Sequence, residues 1–66
     1  MKNYYVNMNA QSNGDHEVHM EGCRYMPSSK KNLGLFFSCK GAVTEAKKTY
    51  KQSNGCKTCC NECHTS

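Results

Sequence analysis

A small α+β domain is what the sequence predicts, and three observations lead there. Alternating apolar residues fill two segments on either side of an Asn-Gly pair, a helical stripe follows a third apolar segment, and the chain closes on a cysteine-rich tail. With 66 residues it holds one domain, spanning 1–66. Hydrophobic residues make up 36%, there is no Trp, and the mean hydropathy is −0.86. A chain this short buries only about 60% of the surface that its unfolded form exposes. A core of Val6, Val18, Leu33, Leu35, Phe36, Phe37, Val43 and Tyr50 is thin, and small scaffolds of this kind need a staple. Six Cys and three His are the obvious supply.

The elements follow in order. Lys2 to Ala10 alternates as a strand, with Tyr4, Val6 and Met8 on one face. Asn13-Gly14 then gives the strongest short-range hairpin signal, and His16 to Met20 is the returning strand. Val18 and Met20 are expected to meet Val6 and Met8. Gly22 to Pro27 is a turn, since Pro27 cannot donate to a ladder. Leu33-Gly34-Leu35-Phe36-Phe37 is a short third strand. Ser38 is a good N-cap, and Cys39, Ala42, Val43, Ala46 and Tyr50 fall on one helical stripe. Ser53-Asn54-Gly55 is expected to end that helix. Cys56 to Ser66 is expected to hold no further packed element.

The strongest chemical signal is Gly55-Cys56-Lys57-Thr58-Cys59, where two thiolates three positions apart can grip one tetrahedral ion after a tight turn at Gly55. Upstream, His19-Met20-Glu21-Gly22-Cys23 places an imidazole and a thiol four positions apart across a turn. The expected metal ligands are therefore His19, Cys23, Cys56 and Cys59, the ion is zinc, and the fold class becomes a zinc-stapled α+β domain with a C-terminal knuckle. Strand alternation sets Glu17 and His19 away from the Val18 face. The ion must then lie on the side opposite Val18, or a bulge must redirect His19. Cys60-Asn61-Glu62-Cys63-His64 supplies alternates: Cys63 or His64 in place of His19, or Cys60, Cys63 and His64 joined on a second ion or left free. His16, beside the hairpin turn, is expected to face solvent. Cys39 reads most simply as a small buried hydrophobe.

The choice of metal over disulfides rests on compartment. The chain opens Met1-Lys2-Asn3-Tyr4-Tyr5-Val6-Asn7, which lacks the apolar run of a secretory signal, and no segment approaches the roughly 18 apolar residues that span a membrane. A cytoplasmic location is expected, where cysteines act as ligands more than as bridges. A secreted disulfide-rich peptide is the contrasting reading, with about 15 possible pairings of six cysteines.

Together, His-x3-Cys, an apolar strand ending in Phe36-Phe37, an Ala-containing helix and Cys-x2-Cys resemble the N-terminal metal-binding domain of the Ada DNA-repair methyl acceptors. The similarity covers roughly His19 to Cys59. It implies one zinc held by a pair of ligands before a strand and helix and a pair after them. In that family the first ligand is a cysteine that accepts a methyl group from a DNA phosphotriester. His19 stands at that position, and imidazole lacks the nucleophilicity of a zinc thiolate. The resemblance therefore implies the scaffold without the methyl transfer.

No metallohydrolase motif, phosphate loop or nucleophile elbow is present, and Glu17, Glu21 and Glu62 are the available carboxylates. The chain is read as a non-enzyme. Its formal charge of +4 favours an anionic partner. Nucleic acid is the first candidate, bound by Arg24, Lys40, Lys47, Lys48 and Lys51 with help from Lys30, Lys31 and Lys57, while Tyr4, Tyr5 and Tyr25 stack on bases. The alternative is a protein-interaction module or small inhibitor, such as a mobile element carries, that binds a larger protein.

Overall fold

The computed structural model describes residues 1–64, and within them the hairpin signal holds. Strand β1 (Lys2–Asn7) pairs antiparallel with β2 (His16–Met20) in a register of Val6 with Val18, Tyr5 with His19 and Tyr4 with Met20. Val18 and Met20 therefore meet Val6 and Tyr4. Met8 lies beyond the strand and is half exposed, because β1 stops at Asn7 rather than at Ala10. Gly14, at φ +94°, turns the loop between the strands. Strand β3 (Lys30–Phe36) pairs antiparallel with the other edge of β1. Its register skips a residue, so that Tyr4 faces Gly34 and Tyr5 faces Asn32. Leu33 is thus the extra residue of a bulge, and Gly34 follows it at φ +105°, a backbone region that suits glycine.

Helix α1 (Cys39–Ala46) starts after Ser38, whose backbone is extended but whose hydroxyl makes no capping hydrogen bond. It ends earlier than its apolar stripe predicts. Tyr50 leaves the helix and stacks on the His16 ring, with centroids 4.0 Å apart and planes 11° apart. His16 is therefore not a free surface residue, and its Nδ1 lies 2.9 Å from the Asn7 carbonyl oxygen.

The larger departure is at Ser53-Asn54-Gly55. These residues form strand β4 (Ser53–Gly55), which pairs parallel with β2 and completes a mixed sheet of order β3-β1-β2-β4. All three are buried. Glycine and asparagine disfavour strands on propensity alone, and the helix-stop reading rested on their fitness for the residue after a last helical turn. Here the tertiary context overrides propensity. Gln52 donates to the Asn13 carbonyl and to Asp15, and the His16 amide donates to the Gln52 carbonyl, so the hairpin tip holds the segment in place. A 3₁₀ turn, η1 (Asn61–Cys63), then packs against β4, so the tail does contain regular structure.

The core is as thin as the composition implies. Val6, Val18, Ala42 and Ala46 are wholly buried, joined by Tyr4, Cys39, Cys56 and Cys60. Leu35 and Phe37 are not core residues, being 57% and 89% exposed. β3 is an edge strand and Leu35 alternates away from Phe36, which packs edge-on to Tyr4. No helix among the described residues is long and apolar enough to cross a membrane.

Candidate metal centre

Two turns build the site. The β2 strand ends at Met20, and Gly22, at φ +85°, reverses the chain so that Cys23 returns beside His19. The Cys23 amide closes this turn on the Met20 carbonyl at 3.0 Å. The second turn follows β4. Val18 pairs with Gly55, and the Cys56 amide donates to the Val18 carbonyl at 2.9 Å. That bond carries Cys56 alongside His19. The Cys60 amide then closes the Cys56–Cys60 turn at 2.8 Å, bringing Cys59 round to the same place.

Gly55 is needed for a reason other than turn formation. Its φ is not positive. A side chain there would place Cβ 2.7 Å from the Cys60 carbonyl oxygen and from the Cys63 Cβ, both of them crowded atoms of the knuckle. Close packing of β4 under the tail excludes anything larger than hydrogen.

The result gathers His19, Cys23, Cys56 and Cys59. One ligand atom from each lies within 4.8 Å of all the others, close enough to hold a metal ion. Cys23 Sγ is 3.5 Å from His19 Nδ1 and 3.9 Å from Cys56 Sγ, and Cys59 Sγ is 3.9 Å from the same Nδ1. His19 is 1% exposed although it sits on a strand beside the buried Val18. The pairing of β1 with β2 runs unbroken past it. No bulge redirects the ring, so successive side chains alternate and His19 takes the face opposite Val18.

Burial favours the neutral forms of the groups in the cluster. Burial pushes the Cys59 thiol up, and its hydrogen bond with Cys23 adds to the effect. The Met20 N–H works in the other direction, donating to Cys59 Sγ at 3.2 Å. Burial also holds His19 below its ordinary value, against the pull of Glu17. The ring is thus neutral near pH 7, and its Nε2, 3.6 Å from Glu17 Oε1, faces that carboxylate as a dipole rather than as an ion pair. A neutral imidazole with Nδ1 beside the Cys23 and Cys59 thiols, and Cys56 in the same group, is a donor set that suits a metal ion.

The alternates fall elsewhere. Cys63 is bonded to Cys39, joining the tail to the start of α1, so neither is available as a ligand in this form and Cys39 is more than a small hydrophobe. This pair was not legible beforehand, because a separation of 24 residues across a helix leaves no spacing signature. His64 Nδ1 lies 3.0 Å from the Gly55 carbonyl oxygen. Cys60 is free and buried, outside the four-donor group.

The proposed nucleic-acid residues lie at the surface. Arg24, Lys40, Lys47, Lys48 and Lys51 are all exposed. Lys48 contacts Glu45 at 3.1 Å, and the Arg24 guanidinium sits 5.7 Å from the Tyr25 ring centre. Tyr4 cannot stack on a base, being 4% exposed beneath the sheet's own packing. Tyr25 is open, and Tyr5 is half-buried with Lys30 5.9 Å from its ring centre. Comparison with protein-family models, curated proteins and solved structures finds no match to this chain.

Proposed function

We propose that this chain is a zinc-binding module whose ion is structural, tying the β1–β2 hairpin to the C-terminal knuckle. The observation that carries the reading is the meeting of four donors from the two ends of the chain within 4.8 Å. Zinc takes thiolates at about 2.3 Å and imidazole at about 2.0–2.1 Å, which in a tetrahedron sets donors about 3.6–3.8 Å apart. The separations of 3.5, 3.9 and 3.9 Å within the cluster lie close to that spacing. Four protein donors fill a tetrahedral ion, which supports a closed site over a catalytic one. In this reading the Ada-type likeness extends to two ligand pairs separated by strand and helix, and not to its chemistry.

Native mass spectrometry with thiol counting, before and after chelation, tests the reading. One zinc per chain, removed by chelator together with the native fold, is expected. A chain that keeps its fold and mass unchanged in chelator defeats the proposal.

For the partner we infer an anionic surface, nucleic acid first, on the strength of net charge and the exposed cations named above. Mobility of short oligonucleotides at about 50 mM salt tests it, because the electrostatic term is strongest at low salt. A protein partner is the second reading, favoured by one observation: Leu35 and Phe37 are exposed along and beyond the β3 edge. A nuclease-insensitive stoichiometric complex would select it. We place the chain in the cytoplasm, where grouped free thiols persist and the Cys39–Cys63 bond is open to reduction.

A further inference from the structure

Four donors complete a tetrahedral site, yet a fifth lies beside it. Cys60 is free, 2% exposed, and its Sγ is 4.0 Å from Cys59 Sγ. Consecutive residues of an extended chain send their side chains in opposite directions. Here the backbone is not extended: Cys60, at φ −128° and ψ 46°, opens the 3₁₀ turn, and its amide is tied back to Cys56. The turn folds both sulfurs to one side. Their separation is close to the 3.9 Å between Cys23 and Cys56, two members of the cluster itself. A cavity of about 280 Å³, lined by Cys59, Cys60, Phe37, Thr58, Asn61 and Glu62 among others, gives an ion a way to this side of the centre.

Resting on the zinc-site reading, we propose that Cys60 is a reserve ligand that replaces His19 when a thiophilic cation such as Cd(II) enters, converting the centre from three thiolates and an imidazole to four thiolates. In the exchange the His19 Nδ1 lone pair leaves the ion, the Cys60 S–H gives its proton to solvent, and a metal–sulfur bond forms. Nothing is oxidised or reduced. Soft cations favour thiolate over imidazole, whereas zinc accepts both, so the two forms are selected by the ion. The same spare sulfur gives the centre a stepwise route for exchanging its metal.

Cd(II) is the probe, with ultraviolet sulfur-to-metal charge transfer and free-thiol counting as readouts. The full chain loaded with Cd(II) is expected to show four bound thiolates, and Cys60→Ser three, while Cys60→Ser binds Zn(II) as the parent does. His19→Ala is expected to keep Cd(II) with near-parent affinity, and the His19→Ala/Cys60→Ser double variant to lose more than about 100-fold, beyond what losing an outer-shell contact causes. Equal thiolate counts in the parent and Cys60→Ser overturn the proposal, whatever becomes of the His19 variants. A parent chain that binds neither Zn(II) nor Cd(II) overturns the zinc-site reading itself, and this inference with it.

Discussion

At His19 the two ring nitrogens face different partners, thiols on the Nδ1 side and the Glu17 carboxylate on the Nε2 side. An outer carboxylate of this kind fixes the tautomer and raises the basicity of the liganding nitrogen. Glu17→Gln should therefore weaken Zn(II) binding about 10-fold, the low end for such contacts because the separation is long at 3.6 Å. Competition against a chromophoric chelator measures this, and undiminished affinity would mean that packing alone orients the ring. Gly55 makes a second prediction. Its missing Cβ is the space that the Cys60 carbonyl and Cys63 occupy. Gly55→Ala should destabilise the metal-loaded protein by about 1–3 kcal/mol, as overpacking does elsewhere, seen as a lower denaturation midpoint. The identities of these residues were legible in the sequence. Their reasons were not: the glycine was credited to a turn, and it is the approach of the tail that requires it.

Among the elements, the hairpin and the helix start were readable because they show in local pattern, Asn13-Gly14 in one case and the apolar stripe from Cys39 in the other, although Ser38 makes no capping bond. β4 was not. Three small polar residues carry no strand signal of their own, and only the exposed edge of β2 makes them one. The third strand was recognised at Leu33 to Phe37, but it begins at Lys30 and ends at Phe36. Leu35, which alternates away from Phe36 on this edge strand, and Phe37, beyond its end, do not enter the core assigned to them. The pairing of Cys39 with Cys63 was missed for the same reason as β4, since it joins elements that meet only in three dimensions. In the chain-entropy account a bridge spanning 24 residues adds about 3–3.5 kcal/mol. Replacing both cysteines by Ala should lower the unfolding free energy by about that amount and leave one Zn(II) bound, because neither belongs to the four-donor group. Loss of the zinc in that variant would show that the bridge shapes the site.

For the molecule as a whole, a core of a few small side chains is a thin source of stability, and on the proposed reading a bound ion supplies most of the rest. Structural zinc contributes about 10–16 kcal/mol of apparent binding free energy in small peptides, against about 5–15 kcal/mol for the net stability of an ordinary domain. Chelation is expected to abolish the amide dispersion of the NMR spectrum. The pH dependence has a definite sign. The folded His19 value lies below the ordinary 6.5. Neutral His19 thus favours the fold above that pH, and this contribution is lost as pH falls from about 6.5 through the folded value. Protons also compete with the ion for three thiols, one of them pushed well up by burial. Zinc binding near neutral pH should release about three protons per chain, detectable with an indicator in weak buffer, and thermal stability should fall on acidification.

The parallel pairing of β2 with β4 has a consequence in time. A hairpin of neighbouring strands can form early and unaided, since little loop must be closed. The seam between Val18 and Gly55 joins positions far apart in the chain, and Cys56 and Cys59 lie beyond it. During synthesis the first half of the four-donor group therefore waits, with two open donors, until the segment carrying Cys56 and Cys59 has emerged. On the proposed zinc reading, capture of the ion becomes the closing event of folding, and the rate of zinc delivery sets when the fold is complete.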